Sequence, residues 1–580
     1  MATSLFLTIK RISYIGLVLF SDVKKLLEFF LNLFSSLGAL LILLLLIIEF
    51  AFPPSAQQVS GYFFIHHYII YAFIIDIILR FVFFKKNRWL TFLFRPTDLL
   101  VFVPFVITLI IPNFGFTFFM SQVLLLLLLI GRMGHMSFLT NLFKVRPAQF
   151  ILIGFIFLIF IGALLLVLPN ASVEGKQLSF IDALFTSCSA VCVTGLAVND
   201  IGRDFSLFGQ IVLLLLVQIG GLGIMTFSVF LSMILGKRIS QADTLELQES
   251  YSTYNFKETA SSIGFIFKFT LFFECLGALF LGLFTFRSIE SFPDRVFYSV
   301  FHSVSSFCNA GFALYSDSLI GFQTHFPTVF IISTLIIFGG LGFPVLFNLN
   351  QRLQHKNEPL RMGTKLALLV TGVLIIVGTL GILALEYNRS LSGYMLFDKV
   401  LVSYFQAVSA RTAGLNSIDL NLFHSTSIML LMGLMIIGAS PGSTGGGIKT
   451  TAFGVVAISF WNILKNSFRF DFGGRTIDHY SAFKAFSVVI TAVIVIFSGV
   501  FVLMLVESLP FKKILFEAIS AFGTVGFSLG ITADLSSYGK GIIIIMMFIG
   551  RIGPLGFLYS LFKPKAAVSY VLPVEKVTVV

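Results

Sequence analysis

Apolar positions dominate the chain in runs long enough to cross a bilayer, and stretches such as Leu40 to Ile48 and Leu124 to Ile130 hold no polar side chain. About 20 apolar residues match a hydrocarbon core roughly 30 Å thick. On that measure the pattern predicts twelve spanning segments, beginning near residues 34, 62, 95, 117, 149, 207, 262, 327, 363, 426, 481 and 541. Four of the connections between spans carry a further semi-apolar segment, too short to cross and followed by glycine: "SCSAVCVTGLAVND", "SVSSFCNAGFALYSD", "QAVSARTAGLNSID" and "AISAFGTVGFSLGITAD". Their central glycines are Gly195, Gly311, Gly414 and Gly526, spaced 116, 103 and 112 residues apart. This is a fourfold repeat. Its unit reads as a spanning helix, a half-helix that dips into the membrane, an irregular stretch and a second spanning helix. The expected division is a four-helix extension over 1–145, repeat 1 over 146–240, repeat 2 over 241–356, repeat 3 over 357–470, and repeat 4 with a short tail over 471–580.

Polar positions set the orientation. The connection from Arg80 to Arg95 carries Arg80, Lys85, Lys86, Arg88 and Arg95, whereas those near 53–61 and 112–116 carry no Lys or Arg. The positive-inside bias places both termini in the cytoplasm, and alternation brings Lys237, Arg238, Arg352, Lys356, Lys465 and Arg469 to the same side. Composition narrows the class. The 580 residues are 57% hydrophobic and 11% charged, which leaves too little polar surface for a soluble chain. The expected fold is an all-α polytopic membrane protein with four pore-loop repeats around a single pore, preceded by four extra N-terminal helices. The net charge of +12 belongs first to cytoplasmic loops, so nucleic acid is not expected as a partner. Cys188, Cys192, Cys275 and Cys308 lie in apolar or small-residue stretches without metal-like pairing and read as packing residues. No cleavable signal is evident ahead of the first long apolar run.

Irregular backbone at membrane depth is tolerated only where it lines a water-filled path or is buried in protein. Four such segments around an axis would surround a pore whose carbonyl oxygens replace an ion's hydration shell. Cations would enter, not anions. Asp200, Asp317, Asp419 and Asp534 follow the four glycines at short intervals. Individually they read equally well as solvated carboxylates or helix caps; their recurrence favours a joint role at an outer mouth.

The string "SPGSTGGGIKTT", Ser440 to Thr451, looks like a phosphate-cradling loop, but Ile448 separates Gly447 from Lys449 and no soluble strand and helix flank it. Each second helix carries glycines: "QIGGLG", "FGGLGFP", "GASPGSTGGG" and "IGRIGPLG". In the first two, close helix packing explains them. The third has Pro441 and enough glycine to break a helix halfway across the bilayer, giving a mobile plug beneath its filter segment. Lys449 ends that segment, where it either belongs to the plug or snorkels to the interface. Arg551 lies inside the last span, where an unpaired charge marks a pathway or a partner.

The strings "VTGL", "CNAGF", "ARTAGLNSID", "SPGSTGGGIKT", "GTVGFSLG" and "GRIGPL" resemble, in order, those of the Trk/Ktr/HKT superfamily of potassium transporters, from about Phe150 onward. The segment "GKRISQADTLELQES" is similar to the linker between the first two repeats of bacterial Ktr-type members. The resemblance implies potassium uptake across the cytoplasmic membrane by a homodimer with one pore per protomer, assembled on a cytosolic ring of nucleotide-binding regulatory proteins. It implies a filter of backbone carbonyls from Val193, Thr194, Gly195, Asn309, Ala310, Gly311, Thr412, Ala413, Gly414, Thr524, Val525 and Gly526. The family's gating loop falls on Gly438, Ser440, Pro441, Gly442, Gly445, Gly446, Gly447 and Lys449, and its pore-facing arginine on Arg551. Glycine rather than serine at 195 goes with potassium preference. Leu415 departs from the phenylalanine of many bacterial members. This chain is expected to bind no cofactor, and with no nucleotide fingerprint in its loops, nucleotide control would come from a separate chain.

The extension is the larger departure, since members commonly have no spans or two before the first repeat. Asp76, Arg80 and Asp98 resemble a voltage-sensor domain, but Arg132 and His135 are too few charges for steep voltage dependence, so a packing or assembly domain is expected. Competing readings are a sodium-permeable or sodium-coupled transporter of the same fold, a secondary transporter for an organic solute, and an enzyme. Four equivalent re-entrant segments argue against the second. The third has only the His66/His67 doublet, read as an interfacial pair.

Overall fold

Long helices form where the apolar runs begin. The computed structural model describes residues 147–173, 176, 178–223, 256–354, 359–466 and 469–561, with scattered positions between 38 and 75. Asp76, Arg80, Asp98, Arg132 and His135 lie outside the described residues. The chain divides into two units, and nearly all described residues belong to the second, made of Arg146–Val167, Ala171–Phe227 and Ser240–Val580.

In chain order its helices are α1 (Pro147–Val167), α2 (Phe180–Val191), α3 (Leu207–Leu222), α4 (Phe256–Phe280), α5 (Phe292–Phe307), α6 (Phe326–Leu341), α7 (Phe343–Gln354), α8 (Met362–Glu386), α9 (Leu396–Ser409), α10 (Ser425–Ile436), α11 (Thr450–Leu464), α12 (His479–Val506), α13 (Phe511–Gly523), α14 (Ser537–Ile552) and α15 (Pro554–Leu561). Three stretches are long and apolar enough to cross a membrane, Gly264–Thr285 in α4 and the turn that continues it, α8 and α12, and α6 with α7 makes a bent pair at 95°. Outward faces of these helices stay apolar and exposed, as at Leu369, Val373, Phe497 and Phe501, the mark of a surface solvated by lipid rather than water.

The short helices α2, α5, α9 and α13 run into the interior. Their C-terminal halves are buried almost without break, including polar Ser187, Ser189, Ser305, Ser306, Ser409 and Ser520. Buried hydroxyls need partners. Ser187 donates to the Ile159 carbonyl at 2.7 Å, and Ser303 to that of Glu274 at 2.7 Å, which ties α2 to α1 and α5 to α4.

The helices that follow, α3, α6, α10 and α14, start at the expected places but stop short of a full span. Helices α3, α6 and α14 end at Gly223, Gly342 and Gly553, with nearly the same backbone (φ 83, 88 and 90; ψ 137, 140 and 139). The third is interrupted by the longer loop between α10 and α11. Breakage is therefore seen in the second and fourth as well, where the sequence pointed to the third alone, and α3 stops at the equivalent glycine. Packing glycine and breaking glycine sit three residues apart in one cluster. Gly220, Gly339 and Gly550 lie against the carbonyls of Val191, Phe307 and Phe522, leaving no room for a Cβ, and the break follows.

Two further expectations are corrected. Cys275 is exposed, while Cys188, Cys192 and Cys308 are buried as packing residues. A small antiparallel hairpin, β1 (Phe470–Phe472) with β2 (Arg475–Ile477), interrupts the all-helical reading. Gly473 and Gly474 both have positive φ (56 and 80), the geometry a two-residue hairpin turn requires. The expected boundary at 470/471 falls inside this hairpin.

Candidate functional site

Each short buried helix ends in a triad with the same backbone alternation. The first residues, Val193, Asn309, Thr412 and Thr524, have φ of 56, 59, 78 and 49; the third, Gly195, Gly311, Gly414 and Gly526, have 87, 74, 66 and 97. Left-handed φ is uncommon for a non-glycine residue and rarer for β-branched Val and Thr, so its fourfold recurrence needs an external constraint. One is visible in the amide groups. Thr194 N–H donates to the Ser189 carbonyl (2.7 Å), Ala310 to Ser305 (2.7 Å), Ala413 to Ser409 (3.0 Å) and Val525 to Ser520 (2.9 Å). The same serines use their hydroxyls too. Ser189 and Ser520 accept from the N–H of Gly195 and Gly526, whereas Ser305 and Ser409 donate to the carbonyls of Phe312 and Leu415. Among the described residues none of the twelve triad carbonyls accepts a hydrogen bond.

The triads meet in a closed ring. A Cβ on Gly195 would collide with the carbonyl of Ala310, on Gly311 with Ala413, on Gly414 with Val525, and on Gly526 with Thr194. Each glycine thus makes room for the central carbonyl of the next triad, and the fourth returns to the first. Only glycine fits these four positions.

Below the ring lies the loop between α10 and α11. Its two ends are stitched together: Gly438 N–H donates to Ile448 O (2.9 Å), Ile448 to Ile436 (3.3 Å) and Thr450 to Ala439 (3.2 Å). Its body is held by other helices, with Ser440 N–H on Gly340 O (3.0 Å), Thr444 N–H on Gly339 O (3.3 Å) and Gly447 N–H on Gly550 O (3.2 Å). Pro441 and Gly442 sit at the α6–α7 break, where Phe343 N–H donates to Gly442 O. Lys449 turns back into the loop and donates to Gly445 O at 2.6 Å, so it does not snorkel. Arg551 donates to the Thr444 carbonyl of the loop and to the Gly220 and Gly221 carbonyls that end α3. A guanidinium with several fixed donors can bind three carbonyls at once. In this position Arg551 clamps the loop between α3 and α14.

The four acidic residues beyond the triads differ. Asp200 caps the turn Ile201–Asp204, accepting from Gly202 and Arg203 N–H (2.9 and 3.1 Å), and Asp419 caps the turn Leu420–Leu422. Asp317 and Asp534 are exposed. Burial, followed by nearby Tyr298 and Asp317, pushes the Tyr315 phenol up to about 12.

The profile of the TrkH family, described as a cation transport protein, matches residues 148–565. The chain belongs to the TrkH family. TrkH relatives include the Ktr system potassium uptake protein B of Bacillus subtilis, 42% identical over 72% of this chain and 94% of that one. The potassium/sodium uptake protein NtpJ of Enterococcus hirae is 36% identical over 75% of this chain and 97% of the relative. Among solved structures, the potassium transporter TrkH from Vibrio parahaemolyticus superposes with a TM-score of 0.59 at 18% identity, covering 80% of this chain and 95% of that one. The fold is therefore TrkH-like and mostly helical, and membership of this cation transport family makes the chain a multi-pass membrane transporter, not an enzyme.

Sequence reasoning missed several residues of this TrkH-like core. The four serines beneath the triads could have been found from a serine six residues before glycine in three segments and five in the other. Glu274, buried in α4, accepts from Gln218 (3.2 Å), and buried Glu517 accepts from Ser528 (2.8 Å) and Thr532. Their signal was a lone carboxylate in an apolar or small-residue segment.

Proposed function

We propose that this chain is the pore-forming subunit of a potassium uptake system, with four helix–pore helix–helix repeats around a single pore. The observation that carries the reading is the closed ring of triads, whose carbonyls no described residue uses. Oxygens at membrane depth without protein donors suit a cation that has shed its water. Val193-Thr194-Gly195, Asn309-Ala310-Gly311, Thr412-Ala413-Gly414 and Thr524-Val525-Gly526 are the filter. The loop from Gly438 to Lys449 is the gate, and Arg551 keeps it under the filter. Asp200, Asp317, Asp419 and Asp534 lie at the outer mouth and raise local cation concentration, two of them while serving as caps. Both termini are cytoplasmic, the chain forms a homodimer, and a cytosolic ring of nucleotide-binding proteins releases the gate. The names of its relatives, a potassium uptake protein and a potassium/sodium uptake protein, support transport of alkali cations.

Potassium and sodium fluxes into proteoliposomes across an imposed diffusion potential, with the chain alone and with its cognate ring, test this. Potassium-selective uptake is expected, larger with the ring. Equal uptake of both ions would favour the sodium-permeable reading, and none under either condition would overturn both. Gly195→Ser should lower potassium preference while leaving assembly intact; unchanged selectivity would remove this triad from the filter.

A further inference from the structure

Three consecutive loop residues meet three different triads. Thr444 Oγ1 lies 3.3 Å from the Asn309 side-chain oxygen, when the Asn309 nitrogen donates to the carbonyls of Ser306 (3.1 Å) and Ile336 (3.3 Å). That orientation gives both polar atoms of the Asn309 amide complementary partners. Gly445 packs directly against Thr412 Oγ1, where a Cβ would overlap the hydroxyl. Gly446 N–H donates to Thr524 Oγ1 at 2.9 Å. Asn309, Thr412 and Thr524 are fully buried and are the first residues of their triads, on the side from which the loop approaches. Val193, the fourth first residue, has no polar side chain.

The loop therefore occupies a rim that carries three neutral oxygens, an amide and two hydroxyls. Neutral oxygens in a fixed ring are the ligand type that replaces water around a weakly hydrated monovalent cation. A lone pair accepting from Gly446 N–H is not free for a cation, and the space cannot hold both. We propose that the side-chain oxygens of Asn309, Thr412 and Thr524 form a shared site at the inner end of the filter, which holds either loop residues 444–446 or a potassium-sized cation. The inference rests on the pore reading above. It makes the transported ion a ligand of the gate: a cation that binds only when the loop is withdrawn shifts the population toward withdrawal. By reciprocity, anything that withdraws the loop tightens cation binding by the same factor.

Two substitutions separate the loop's hold from the cation's. Gly446→Ala sets a methyl against the Thr524 side chain and displaces the loop while leaving the hydroxyl in place. Thr524→Val removes the hydroxyl and keeps the shape. In full-length chain reconstituted without other proteins, both should raise radioactive rubidium uptake by about three- to tenfold, the shift expected from losing one buried hydrogen bond. Thr524→Val alone should also weaken the preference for rubidium over sodium, and Thr524→Ser should recover it in large part. In detergent, the potassium concentration giving half-maximal thermal stabilisation should fall in Gly446→Ala by about the factor by which uptake rises. Unchanged ion preference in Thr524→Val, or an unchanged half-saturating potassium concentration in Gly446→Ala, overturns the shared site. The potassium titration reads the site even if no rubidium enters, so absence of uptake by wild type with its ring would count against the pore reading alone.

Discussion

At the scale of single residues, the ring is set by what four glycines lack. Gly414 shows the constraint most clearly, since a Cβ would meet the Val525 carbonyl and its φ of 66 disfavours any side chain. Gly414→Ala should therefore add strain of about 1–3 kcal/mol at the triad. The expected outcome is loss of most rubidium uptake with the protein still folded, checked by flux alongside size-exclusion and thermal stability. Wild-type uptake would mean that neighbouring triads do not share one ring. These glycines were legible because the same chemistry recurs four times, and recurrence separates signal from ordinary turn use. The serines beneath them were not. Serine is common, its hydroxyl accepts in two segments and donates in the other two, and only coordinates reveal one role.

At the scale of elements, the informative feature is where the second helix of each set stops. Sequence pattern located all four glycine clusters but assigned packing to the first two and breakage to the third. Gly339 and Gly342 fill both roles within one turn, which a string such as "FGGLGFP" cannot apportion. The breaks also differ in what surrounds them. A Cβ on Gly342 would press on the Pro441 carbonyl of the loop, whereas among the described residues nothing lies within 4 Å of one on Gly553. Both substitutions to alanine put a side chain on a backbone geometry that essentially only glycine adopts, at a cost of about 1–3 kcal/mol, but among the described residues only the one at Gly342 meets the loop. Uptake in the absence of any partner should rise in Gly342→Ala and stay near wild type in Gly553→Ala. Equal increases would show that helix bending rather than loop contact sets the closed state.

At the scale of the whole described unit, the ring must close between the first and last sets of helices, which lie more than three hundred residues apart in sequence. Repetition suggests four similar units but does not say what holds the fourth against the first. Part of the answer is Lys540 at the start of α14, whose ammonium lies 2.6 Å from an Asp182 carboxylate oxygen in the first turn of α2, the two side chains 11% and 19% exposed. Asp182 also sits at the N-terminus of α2, where the helix dipole favours its charge, and it bonds to Ser179. A pair this sheltered is screened less than a surface bridge, and removing one partner strands the other. Asp182→Asn and Lys540→Met should each lower the unfolding temperature. The double variant should lose less than the sum, with a coupling energy of about 1–3 kcal/mol in a double-mutant cycle. Additive losses would show that the two charges act independently, and would leave ring closure to the other contacts between α2 and α14, among them the Cys188 thiol, which donates to the Ile544 carbonyl at 3.7 Å.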